Sequence, residues 1–469
     1  MKKNYLLSSI FGAMLMAMPV SADVIGMQTA VAVGEKISIA LNQDVKATLT
    51  WGNGDSEEIL FNGEEVEITV KDANFTLTTD QSVMTLYCPN CSLTELNLEQ
   101  VPNLVALVCP NNQLTSLKVD KAVRLQELNC ENNKLSALTV SPCKDLLSLN
   151  VGSNELTSLS LSSLANLRTL ICSYNQLKTL SVSSLKNLET VWCQGNQIKS
   201  ISFSSVARPV QICAFDNELS NINVNNLEGI KDLWLDNNQF TKLDLSKTSV
   251  STLSASDNNL SLIVLNEDAR KELEAFYVDG NRLSFNSFPS VYNQSTKDSI
   301  IAYNVENQRP YVYADKVNIN ELCDFTPIIR RNAWNSNTRV KITWKDGNGR
   351  ELVKNEDIKI SGDKFTFLKP FKSVSAEMTS FLYPDATFSI APMEVVDPTG
   401  IDDVAEDQSL TITSRSGQLQ VSVNAETVVK IYNVSGALVV EEVVSAGTHS
   451  WALPTGLYIV NGKKVVLSR

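Results

Sequence analysis

LETVWCQGNQI at residues 188–198 reads in step with LRTLICSYNQL at 167–177, LQELNCENNKL at 125–135 and IKDLWLDNNQF at 230–240. Each fits the form L-x-x-L-x-C/L-x-x-N-x-L, with isoleucine leading the last copy. Ten such copies follow one another. Their sixth residues are Cys88, Cys109, Cys130, Val151, Cys172, Cys193, Ala214, Leu235, Ala255 and Val278, the first eight 21 residues apart and the last two after steps of 20 and 23. A period of this length predicts one supersecondary unit per copy, stacked on its neighbours because no copy can bury its apolar face alone.

The spacing fixes which side chains face inward. Positions one, four and six (Leu167, Leu170 and Cys172 in the fifth copy) are apolar, as are eleven, fourteen and sixteen (Leu177, Leu180, Val182). Position nineteen is filled by Val101, Ala122, Cys143, Leu164, Leu185, Val206 and Leu227. Position nine is asparagine in nine copies, from Asn112 to Asn281, with Cys91 in the first. A buried turn leaves backbone groups to satisfy, and an amide carries both the donors and the acceptor to do it. This is the leucine-rich-repeat signature, in which each repeat gives one short strand to a parallel sheet lining a horseshoe. The fold expected is mainly β: a ten-repeat solenoid over 82–289 with other β domains around it.

Residues 1–22 read as a secretory signal peptide. Lys2 and Lys3 are its charged start, residues 6–18 its apolar run, and Val20-Ser21-Ala22 its cleavage site. No later stretch resembles a transmembrane helix, so no transmembrane segment is expected after signal removal. Residues 23–81 read as a β cap on the first repeat, with strands EKISIAL (35–41), KATLTW (46–51) and VEITV (66–70). Turns are expected at Gly52-Asn53-Gly54-Asp55 and Asn62-Gly63. NEDARKELEAF (266–276) suggests a short helix in the last repeat, and 297–307 a connection. RVKITW (339–344) begins a run of short strands over 310–396, a β-sandwich of immunoglobulin-like architecture without the Cys…Trp…Cys framework. The acidic stretch DPTGIDDVAEDQ (397–408) reads as a linker, and a small β module fills 409–469.

That last module resembles the type A C-terminal sorting domain of the type IX secretion system of Bacteroidetes. The matching residues are Thr399-Gly400-Ile401, VKIYNVSGALV (429–439), Gly447-Thr448-His449, LPTGLYIV (453–460) and Lys464-Val465-Val466. The resemblance implies export across the outer membrane. The repeats are likewise similar to cysteine-containing leucine-rich repeats of surface proteins from such bacteria. The expected localisation is secreted or on the outer-membrane surface.

The formal net charge is −12, and losing Lys2 and Lys3 makes it more negative. That argues against nucleic acid as a partner and against an anionic membrane surface. Nine cysteines in a secreted chain would suggest disulfides, but the period places Cys88, Cys109, Cys130, Cys172, Cys193 and Cys143 in the core as small hydrophobes. Cys88 and Cys91 have C-x-x-C spacing without a second pair or a histidine, so packing is preferred to zinc. No metal or cofactor is expected. The single histidine, His449, lies in the sorting-like module. Asp232 with Asp236 is the best carboxylate pair, on an open sheet, and no catalytic set with defined roles can be assembled. The chain reads as a binding protein and not an enzyme.

Positions three, five, seven and eight should face out of the concave side of the sheet. They bring together Tyr174, Trp192, Cys213, Phe215, Trp234 and Tyr277 with Asp216, Asp232, Asp236, Asp257 and Asp279, and hold no lysine or arginine. Cys213, between Trp192 and Trp234, is expected to be exposed there. Such a surface suits protein–protein interaction first, through a cationic segment, and adhesion to a polysaccharide second. A purely structural envelope role is the third reading.

Overall fold

The computed structural model describes residues 22–203, 209–225, 227, 229–266, 272–287, 302–329, 340–380, 383–397, 410–415, 418–434, 436–461 and 463–467. The expected signal peptide (apart from Ala22), the linker (apart from Asp397) and Val206 lie outside them, as does much of the helix expected at 266–276. The chain divides into two compact units. One holds residues up to 311 with 325–342 and 377–391; the other holds 312–324, 343–376 and 392–469. No helix among the described residues is long and apolar enough to cross a membrane.

The first unit is a leucine-rich-repeat solenoid. Its ladder sheet takes one three-residue strand from each expected repeat: Thr85–Tyr87, Ala106–Val108, Glu127–Asn129, Ser148–Asn150, Thr169–Ile171, Thr190–Trp192, Gln211–Cys213, Asp232–Trp234, Thr252–Ser254 and Ala275–Tyr277. Neighbours are parallel and in strict register, so Ile171, Trp192, Cys213 and Trp234 stand side by side. The central residue of each strand is buried, as are the residues at positions one and six. Fully burying a Leu or Val is worth about 1.5–3 kcal/mol, and each rung gains this only between neighbours.

The asparagines of position nine hold the rungs together. Asn175 accepts a hydrogen bond from Leu156 N (2.9 Å) and donates to Val151 O (3.0 Å), Cys172 O (3.2 Å) and Ser173 O (3.2 Å). The same pattern recurs from Asn112 to Asn281. Just before it, at position eight, the backbone is left-handed in every rung, with Asn90, Asn111, Asn132, Ser153, Tyr174, Gly195, Asp216, Asn237, Asp257 and Gly280 all at positive φ. Asparagine, aspartate and glycine tolerate that conformation, which explains their prevalence there.

The structure corrects the connection expected at 297–307. Ala302–Asn304 is an eleventh ladder strand, pairing in parallel with Ala275–Tyr277. Gln308 takes the asparagine's place, accepting from Leu283 N (2.8 Å) and donating to Val278 O (2.8 Å) and Val305 O (3.2 Å). A long step from the previous repeat and a side chain one methylene longer hid this rung from the period. Phe285 of the tenth repeat packs edge-on to Phe388 at 4.4 Å, and Tyr311, just after the eleventh rung, bridges in parallel to Ile390. Residues distant in sequence thus cover the last rungs.

At the other end, Lys36–Leu41 pairs antiparallel with the first ladder strand through Ala40 to Tyr87 and Leu41 to Leu86. A second sheet runs in the order Ser56–Asn62, Gln43–Trp51, Asn74–Thr79, Val24–Thr29, Leu93–Gln100. Its last strand is the back half of the first repeat, so the cap and the first rung share a sheet. Gly52-Asn53-Gly54-Asp55 is the turn of a hairpin, closed by Trp51 N to Asp55 O at 2.8 Å.

In the second unit, Cys323–Asp324, Lys364–Phe367 and Ile358–Ser361 form an antiparallel sheet. Trp344 packs on Phe365 and Phe367 with ring centroids 5.5 and 5.1 Å away. The C-terminal module sets three strands (Leu410–Arg415, Gln418–Val423, Gly447–Ala452) against four (Leu438–Val444, Thr427–Asn433, Gly456–Val460, Lys463–Leu467). Leu419, Val421, Val429, Ile431 and Val460 fill the core between them.

Candidate ligand-binding face

The ladder strands alternate. With positions four and six in the core, positions three and five project from the opposite face of the sheet, and adjacent strands lie about 4.8 Å apart. Trp192 is 37% exposed and Tyr174 52%, while Phe215, Trp234 and Tyr277 are half-buried. Asp216 and Asp257 are exposed, and Asp232, Asp236 and Asp279 half-buried.

Cys213 departs from expectation. It lies on this face, in register between Trp192 and Trp234, but is only 7% exposed. A small side chain flanked by two indoles on adjacent strands is shielded by them. Burial, with the Asp236 carboxylate adding to it, pushes its thiol up to about 12. Cys213 therefore behaves like the core thiols: all nine cysteines are buried and free. Burial lifts Cys130 and Cys172 to about 12 as well.

The carboxylates are held by neutral donors. Gln211 donates to Asp232 (3.0 Å) and Asn237 to Asp216 (2.6 Å). Asp236 accepts from Ser254 Oγ (2.6 Å) and Ser256 N (2.8 Å), while Ser256 Oγ donates to Asp279 (2.5 Å). Desolvation raises the Asp236 pKa although its hydrogen bonds pull the other way. None of these five aspartates forms an ion pair among the described residues. Position five places Ser254 on this face in the sequence, but neither it nor Ser256 at position seven was singled out, because serine carries no charge or ring to mark it. The eleventh rung adds exposed Glu306 to the same row.

Tyr174 is the outlier among the position-eight residues. Its φ is +52°, and its ring lies over Gly195 of the next rung so closely that a Cβ there would sit 2.5 Å from the ring. A bulky side chain in left-handed backbone costs of order 1–3 kcal/mol and persists only where its surroundings hold it.

Among the described residues no cluster of histidine, cysteine or carboxylate side chains could hold a metal ion. His449 lies in the second unit, its Nε2 2.8 Å from Ser445 O. The repeats themselves contain no histidine.

The family model described as leucine-rich repeats (two copies) matches residues 165–205. The solenoid is built of leucine-rich repeats. No curated protein matches the chain. Among solved structures, the functional domain of InlJ from Listeria monocytogenes, which includes a cysteine ladder, is 15% identical over 70% of this chain and 94% of that one, with a TM-score of 0.33. A leucine-rich-repeat protein of Leptospira interrogans is 23% identical over 40% of this chain and 69% of that one (TM-score 0.27). The LRIM1/APL1C complex gives 15% identity over 59% and 58% (TM-score 0.34).

Proposed function

We propose that this is an extracytoplasmic binding protein that holds a protein ligand on the outward face of its ladder sheet, without catalysing a reaction. The observation that carries the reading is the run of partly exposed rings and of carboxylates without an ion pair among the described residues on rungs five to ten, whose positions three, five, seven and eight hold no lysine or arginine. Solenoids of this class commonly use such extended surfaces for protein–protein interaction. The acidic field favours a protein partner over a neutral glycan, because the carboxylates add attraction to a cationic protein that a neutral sugar cannot return. The C-terminal module, on its resemblance to a sorting domain, would serve export and surface attachment.

The full chain, immobilised and offered both surface proteins and a glycan array, tests the reading. A protein partner bound by the wild type and lost from Trp192→Ala supports it. Binding confined to glycans would replace it with polysaccharide adhesion, and binding indifferent to Trp192 would remove the face from the account.

A further inference from the structure

The position-eight row along the ladder is chemically uneven. From rung five to rung ten it reads Tyr174, Gly195, Asp216, Asn237, Asp257, Gly280. All six have the same left-handed backbone, so the row is a straight file of side chains at strand spacing. Tyr174 is the one large residue in it. Gly195 leaves the space its ring occupies: a Cβ at 195 would approach the ring to 2.5 Å. The ring therefore lies close against the next rung while remaining 52% exposed. On that next rung Trp192, 37% exposed, projects from position five. Gln194, at position seven of the same rung, has a buried Oε1 that accepts no hydrogen bond among the described residues. One strand further on stands the exposed carboxylate of Asp216.

We infer that Tyr174, Trp192 and Asp216 form a subsite for an arginine side chain of an extended, cationic protein segment. The inference deepens the reading of the ladder face as a protein-binding surface and rests on it. A guanidinium is planar, stacks on aromatic faces and donates in a fixed fork to a carboxylate. The ring supplies the flat face and Asp216 the acceptor. A lysine ammonium can meet the carboxylate but cannot stack in the plane of the ring. The strain at Tyr174 is the independent mark. Asparagine or aspartate would fit that backbone at less cost, as at Asn111, Asn132, Asp216, Asn237 and Asp257 of other rungs, so a tyrosine kept half in water serves something other than the fold.

The test uses the full chain and two synthetic peptides, one alternating arginine with serine and one alternating lysine with serine. Their affinities are measured by calorimetry, and melting temperatures are recorded alongside. The arginine peptide should bind more tightly than the lysine peptide by on the order of tenfold. Tyr174→Asn should erase that preference while melting no lower than the wild type. Gly195→Ala, which displaces the ring without removing it, should weaken the preference as well. Equal affinity for the two peptides, or no binding of either, overturns the subsite. So does a preference that survives Tyr174→Asn, or a Tyr174→Asn protein that melts well below the wild type, because the tyrosine would then be a packing residue. A protein partner that needs Trp192 but ignores Tyr174 overturns the arginine subsite alone and leaves the binding face standing.

Discussion

Removing the Asn175 amide should destabilise the solenoid by about 1–3 kcal/mol, and the structure shows which group sets that figure. Its three acceptors each keep another partner: Val151 O is also held by Asn154 (3.1 Å), Cys172 O by Asn196 (3.1 Å) and Ser173 O by Ser153 N (2.8 Å). Leu156 N has the Asn175 oxygen (2.9 Å) as its acceptor. Asn175→Ala therefore strands one buried N–H, at the cost of about 1–3 kcal/mol usual for such a group, and leaves the carbonyls under-satisfied but not orphaned. Asn175→Asp makes a sharper contrast. It keeps an acceptor for Leu156 N but sets a carboxylate against three carbonyl oxygens in a buried site. At neutral pH it should cost more than alanine. Its folded pKa would be raised, so the added penalty should be present above that pKa and vanish as pH falls below the unfolded value of about 3.9. Urea denaturation followed by circular dichroism at pH 7 and pH 3 measures both variants against the wild type at each pH. An alanine variant as stable as the wild type, or an aspartate variant whose deficit does not shrink in acid, would refute the assignment of the ladder amides.

Four further outcomes are expected. Asp236→Asn should raise the melting temperature at pH 7: burial raises the folded pKa, so ionisation costs stability as pH climbs through it, and the gain should disappear below about pH 3.9. All nine native thiols should resist a small maleimide until the chain is unfolded, since each is buried; rapid native labelling of Cys213 in peptide maps would contradict its burial between Trp192 and Trp234. Gln308→Ala should lower urea stability much as Asn175→Ala does, because its side chain accepts from buried Leu283 N; an unaffected midpoint would remove the eleventh rung from the ladder. Deleting residues 399–469 should hold the protein in the periplasm of a host with type IX secretion, and surface display of the truncated chain would end the sorting proposal.

The period carried most of the solenoid because its determinants are local. Leu170, Cys172 and Asn175 recur at fixed offsets, and each offset has one structural meaning. The same locality explains what stayed hidden. Gln308 does an asparagine's work from a rung that breaks the spacing, and Phe388 reaches Phe285 across about a hundred residues of chain, which no periodicity encodes. Alternation put Cys213 on the outward face correctly, but its burial depends on the neighbouring indoles. Burial on a sheet is a property of three strands together, not of one. Tyr174 was legible as an aromatic at the face. Its left-handed backbone and its dependence on Gly195 became visible only when two rungs stood side by side.

Binding of a protein to the ladder face is tested by the affinity of the recovered protein partner for wild type and for Trp192→Ala, measured side by side by calorimetry with melting curves on the same samples. A ring that anchors an interface contributes about 2 kcal/mol or more, roughly thirtyfold in affinity. Trp192→Ala should lose affinity by that factor with the melting temperature nearly unchanged. Equal affinity for the two proteins, or a loss matched by an early melt, would contradict it.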